Sequence, residues 1–127
     1  MSADDNKAAY RRFVDEINKG NIEGLDEFFS PDYVEHSAPP GAPPGIEAIK
    51  GVFTMFRTAF PDVRFTIEDL VAEGDRVSTY VTGHGTHEGT FMGLPGSGVT
   101  ATWSAFGVNR YENGKIAEHW DGATKQP

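Results

Sequence analysis

Glu112-Asn113-Gly114-Lys115-Ile116-Ala117-Glu118-His119-Trp120-Asp121 reads as a tight turn feeding an extended strand. Asn-Gly is a strong hairpin signal, because both central residues of the favoured two-residue turn need positive φ. Side chains alternate along a strand, so His119 and Asp121 are expected on one face and Ile116 and Trp120 on the other. An imidazole and a carboxylate sharing a face can do proton chemistry where that face walls an apolar pocket. Burial raises the carboxyl pKa, and the histidine orients or polarises its neighbour. On a solvated face, which is common in antiparallel sheets, the same pair does nothing.

Working back from the turn, the residues from Val99 to Tyr111 form the partner strand. Before it, Val77, Thr79 and Val81 alternate with Ser78, Tyr80 and Thr82. Val63, Phe65 and Ile67 alternate with Arg64, Thr66 and Glu68, and a turn at Gly74-Asp75 joins these two runs. The first half keeps a helical period instead. Tyr10, Phe13, Val14 and Ile17 predict a helix begun by Ser2 or Asp4 and stopped by Gly20. Ile22, Leu25, Phe28 and Phe29 predict a shorter helix ended by Pro31, and Ile46 through Phe60 a third, stopped by Pro61. Helices first and a meander afterwards make an α+β domain, with the helices on one face of a curved, mainly antiparallel sheet. Ala38 to Gly45, rich in proline, reads as a stiff connector or a lid over a pocket mouth.

The length of 127 residues suits one domain spanning 1–127. Nineteen acidic against eleven basic residues, a net charge of -8, argue against a nucleic acid or an anionic membrane as partner and favour a small neutral ligand. The absence of cysteine removes disulfides and thiolate metal sites. With no basic-then-apolar leader and no apolar run of membrane length, the chain reads as soluble and cytoplasmic.

Histidines stand at 36, 84, 87 and 119. His87, His119 and Asp121 are the residues a metal reading would use, but no ligand spacing supports it and no metal is expected. No Gly-x-Ser-x-Gly elbow occurs, and the glycines between Gly83 and Gly98 precede no helix, so they read as turn and bulge residues. His84 and His87 differ in parity, and His87 shares the parity of Val77, Thr79 and Val81. His36 follows Asp32-Tyr33-Val34-Glu35 at a natural cavity rim.

Taken together, Pro31 to His36, Phe60-Pro61-Asp62-Val63, Glu73 to Val77, Gly85-Thr86-His87-Glu88-Gly89-Thr90-Phe91-Met92-Gly93 and Gly114 to Asp121 resemble the SnoaL-like polyketide cyclase family, in the order of that family and over nearly the whole chain. That family belongs to the nuclear transport factor 2-like, or cystatin-like, group. The resemblance implies a cone-shaped domain in which helices and a strongly bent sheet enclose one pocket. It also implies intramolecular aldol ring closure of a polyketide without metal or cofactor. Asp121 matches the family's acid/base aspartate, while His87 and His119 match pocket residues that hold substrate oxygens, and His36 matches a further histidine of the pattern. The sequence departs from the family after Asp121, where Gly122 to Pro127 lacks a second acidic residue, and at Ser97-Gly98-Val99, which bears on substrate identity.

The resulting expectation is a cavity where Asp121, His119 and His87 converge, walled by Phe13, Phe53, Phe56 and Trp103, with His36 also contacting the ligand. The ligand is apolar or polyketide-like. A homodimer is expected through the outer sheet face, covering Ile116 and Trp120. The same scaffold also hosts isomerases, epoxide hydrolases and non-catalytic binding domains for apolar metabolites, which are the competing readings.

Overall fold

The computed structural model describes residues 2–38, 40–91 and 93–125. Pro39 of the proline-rich segment, Met92 of the glycine-rich segment and the final Gln126-Pro127 lie outside the described residues. In chain order come α1 (Ala3–Lys19), a 3-10 helix (Glu23–Phe28), β1 (Phe29–Glu35), α2 (Ile46–Ala59), β2 (Arg64–Glu73), β3 (Arg76–Thr86), β4 (Thr100–Glu112) and β5 (Lys115–Lys125). Helices lie on one face of a five-stranded mixed sheet of order β1-β5-β4-β3-β2.

Ser2 starts α1 through a capping box. Its hydroxyl accepts from the Asp5 N–H and the Asp5 carboxylate accepts from the Ser2 N–H, both at 3.1 Å. Gly20 ends the helix in the left-handed conformation, with φ 82°. The apolar stripe of α1 is buried together with Leu25, Phe28, Val77 and Ile116 in the main core. Asn18 ties α1 to the start of β2, its amide donating to the Phe65 carbonyl at 2.9 Å and its oxygen accepting from the Phe65 N–H at 2.8 Å. Asn113 (φ 54°) and Gly114 (φ 80°) make the turn between β4 and β5, as the Asn-Gly reading requires.

Two sequence expectations are corrected. The second helix stops at Phe28, and Phe29–Glu35 is a strand, paired parallel with β5. The helical spacing of Phe28 and Phe29 and the presence of Pro31 masked it. Proline is tolerated in an edge strand, because it has no N–H to give a ladder. The second correction concerns β5. Arg110 pairs with Glu118 and Tyr111 with Ile116, so Ala117 forms a bulge. The bulge reverses the alternation, and Ile116, 1 % exposed, joins His119 and Asp121 on the concave face while Trp120 stays outside.

The Asn18 clamp is testable. Asn18→Ala leaves both polar groups of Phe65 without their partner, and chemical denaturation should show a loss of about 1–3 kcal/mol. An unchanged denaturation midpoint would show that the clamp does not contribute.

Candidate active site

The inner faces of β3, β4 and β5 form a grid fixed by strand register. Val77, Asn109 and His119 make one row, and Thr79, Gly107 and Asp121 the next. Val81 with Ala105 and Gly83 with Trp103 follow. The first two rows carry polar groups and the last carries an indole. Above them the helices contribute Tyr10, Phe13, Phe53 and Phe56, and all of these residues except Val77 and Gly83 line a cavity of about 190 Å³. Phe56 stacks on Trp103 at 5.2 Å between ring centroids, and the Trp103 ring lies across Gly83, where a Cβ would collide with it. The cavity is thus aromatic at one end and polar at the other.

At the polar end, the parallel pairing of β1 with β5 sets Glu35 opposite His119. The His119 Nδ1 lies 2.7 Å from the Glu35 Oε1, and the Glu35 side chain is only 8 % exposed. The Tyr33 hydroxyl donates to the same carboxylate at 2.9 Å and the Ser37 N–H at 3.0 Å. Burial alone would push the Glu35 carboxyl up. The His119 hydrogen bond and charge, with the Ser37 and Tyr33 donors, outweigh it and hold the group below the usual glutamate range. An ionised Glu35 accepts from Nδ1–H, and the other imidazole nitrogen is therefore the one turned to the cavity.

That nitrogen, Nε2, lies 3.8 Å from the Asp121 Oδ2, close enough for charge interaction and too long for a hydrogen bond. Gly107 makes this approach possible, because a Cβ there would stand 3.1 Å from Nε2. Burial raises the Asp121 carboxyl above the usual aspartate range, the Glu35 charge adds to this, and His119 opposes it. The side chain is 39 % exposed, so Asp121 stands where cavity meets solvent. Ser37 fixes its backbone, accepting from the Asp121 N–H at 2.8 Å and donating to the Asp121 carbonyl at 3.1 Å. Tyr10 is buried and its hydroxyl pushed up to about 12 by that burial, so it enters the cavity as a neutral group.

The structure brings His119, Asp121, Phe13, Phe53, Phe56 and Trp103 to one cavity. The expected convergence of three polar residues is corrected, because His87 is not in the wall. It lies just past the end of β3, its ring 5.3 Å from Phe60 and 6.4 Å from Phe91. Gly85 and the bulky Phe60 account for this, since the Phe60 Cβ packs at 2.9 Å over the position a Gly85 Cβ would take and Phe60 comes between. His36 is displaced too. It stacks on Trp120 at 4.6 Å and bonds Glu118 at 2.8 Å, on the outer side of the sheet. Asp62, in the Phe-Pro-Asp-Val segment, serves the fold by accepting from both the N–H and the hydroxyl of Thr86. Among the described residues, no group of three or more His, Asp or Glu is arranged to hold a metal ion. Sequence reasoning missed Glu35, Tyr33, Ser37, Gly107 and Asn109. The alternation of Tyr33 with Glu35 was the available signal, visible only once β1 is read as a strand.

The two carboxyls make opposite pH predictions. Glu35, lowered in the fold, stabilises above its ordinary value of 4.5, and that contribution is lost as pH falls through its folded value. The stability gap between the parent and Glu35→Gln should therefore shrink as pH falls below about 4.5. Asp121, raised in the fold, costs stability as pH rises above its ordinary 3.8, and the parent should lose ground to Asp121→Asn over that rise. Denaturant midpoints across pH 3–7, or about that range, check both, and slopes of the same sign would contradict the assignment.

A family model for the SnoaL-like polyketide cyclases matches residues 7–126. Solved structures share the fold over most of the chain. IdmH of Streptomyces antibioticus, a proposed polyketide cyclase, is 32% identical with a TM-score of 0.81, covering 93% of this chain and 91% of its own. AclR of Streptomyces galilaeus, a proposed hydroxylase, is 29% identical with a TM-score of 0.86, over 97% of this chain and 77% of its own. TsrD of Streptomyces laurentii is 26% identical with a TM-score of 0.87, over 97% and 90%. No curated protein matches the sequence. With helices preceding a curved mixed sheet, and a family match over almost every residue, the chain belongs to the SnoaL-like polyketide cyclase family.

Proposed function

We propose that this protein closes a ring in a polyketide-like carbonyl compound by intramolecular aldol addition, with Asp121 as the acid/base and no cofactor. One observation carries the reading: a carboxyl with a raised pKa at the polar end of an apolar, aromatic cavity, 3.8 Å from an imidazole that a second carboxylate orients. A C–H flanked by carbonyls is acidic enough for one carboxylate to deprotonate it. The Asp121 carboxylate takes that proton and the electron pair passes into an enolate. The enolate carbon attacks a second carbonyl of the same molecule, forming the C–C bond as the C=O π bond breaks. The new alkoxide takes the proton back from Asp121, which restores the carboxylate. Glu35 and Tyr33 act through His119, holding its ring in place beside Asp121.

Asp121→Asn keeps size and removes the proton acceptor. Turnover should fall about a hundred- to ten-thousand-fold, as losses of general acid–base groups do, while ligand binding persists. His119→Ala should cost less. A panel of aromatic polyketide esters, small enones and epoxides, with binding measured in parallel, reads this out. Full turnover by Asp121→Asn removes Asp121 from the mechanism. Enone isomerisation or epoxide opening would select those chemistries instead, and binding without turnover of any panel member would select a binding domain.

The outer sheet face supports a homodimer. Phe106, 52% exposed, stacks on Tyr80 at 4.7 Å, and Val71 is 60% exposed. The helices cover the other face. A second copy laid on this face would bury these side chains. Phe106→Glu should dissociate the dimer in sedimentation at micromolar concentration, and a parent that sediments as a monomer would contradict it.

A further inference from the structure

Asn109 is 3 % exposed, and its Nδ2 has no hydrogen-bond partner among the described residues. A buried amide donor without a partner is costly, and such groups in native proteins are explained by a ligand or an ordered water. Asn109 lines the cavity. Its place in the grid is specific, directly across from His119 and one row from Asp121. Facing side chains of paired strands stand roughly 4.5–5.5 Å apart at Cβ, so whatever Asn109 bonds lies beside the proton-handling pair. The other orphaned groups differ. Asn6 Oδ1 and His87 Nε2 are buried outside the cavity wall.

We propose that Asn109 is a ligand-binding residue whose amide N–H takes the acceptor oxygen of the bound molecule, the carbonyl that becomes the enolate when Asp121 removes the neighbouring proton. This rests on the reading of the cavity as the reaction site and adds the feature a ligand must carry: an acceptor oxygen at one end of an apolar ring system. The amide has only donors to offer through Nδ2, so a ring lacking that oxygen leaves it unpaired. Hydrogen bonding to the developing oxyanion strengthens as charge accumulates there, which favours the enolate over the ketone.

The test compares 1-tetralone, a two-ring ketone, with tetralin, the same rings without oxygen, by calorimetry on the full chain. The parent should prefer the ketone by about three- to tenfold, the range expected for one hydrogen bond. Asn109→Leu should abolish that preference while binding tetralin at least as well. The carbonyl stretch of bound tetralone should lie lower in the parent than in the variant. If Asn109→Leu does not fold, Asn109→Asp, nearly identical in shape, should reject the ketone selectively. An undiminished ketone preference in the variant overturns the proposal and leaves Asn109 holding a water only. If the parent binds neither molecule, both this proposal and the ligand cavity fall. Loss of turnover in Asp121→Asn with no effect at Asn109 separates the two assignments.

Discussion

The contact between Glu35 and His119 is the constraint on which the site depends. It exists because β1 runs parallel to β5 and sets residue 35 against residue 119. The same docking continues beyond the strand, where the His36 N–H donates to the His119 carbonyl at 2.9 Å and Ser37 brackets the backbone of Asp121. Charge-assisted hydrogen bonds are the stronger kind, and this one is shielded from solvent on the Glu35 side. A single strand pairing thus fixes the imidazole ring, its tautomer and the position of Asp121. Stability of the sheet edge and geometry of the site are one arrangement.

Two departures from regular structure make room for it. The bulge at Ala117 turns Ile116 inward, into the same cavity wall as His119. Gly107 leaves the space into which the imidazole extends. The aromatic residues do complementary work. Phe13, Phe53 and Phe56 from the helices and Trp103 from β4 exclude water at the other end, which lowers the local dielectric and strengthens each charge at the polar end. The Glu35 carboxyl is lowered because His119, Ser37 and Tyr33 together outweigh its burial, and the Asp121 carboxyl is raised because burial and the Glu35 charge outweigh His119.

The alternation of Val77, Thr79 and Val81, the Asn113-Gly114 turn and the helical stripes were legible because each depends on local chemistry with a known period. The shared face of His119 and Asp121 was legible for the same reason. What sequence could not show depends on tertiary pairing. Phe29–Glu35 is extended because β5 offers it a partner, against a local pattern that reads as the end of a helix. Glu35 became visible only with that strand. The bulge at Ala117 has no sequence signature, so Ile116 was placed on the wrong face. His87 has the inward parity, but packing at Phe60 decides what an inward side chain meets. The family resemblance located the fold and the last strand correctly, and it could not supply the partners that orient His119.

His119 stands between two carboxyls driven in opposite directions, Glu35 lowered by the donors that hold it and Asp121 raised by burial. Carbon-13 titration of the Glu35 and Asp121 side-chain carboxyls in the intact protein measures this directly. Glu35 should titrate below the ordinary glutamate value and Asp121 above the ordinary aspartate value. A Glu35 carboxyl at or above its ordinary value, or an Asp121 carboxyl at or below its own, would contradict it.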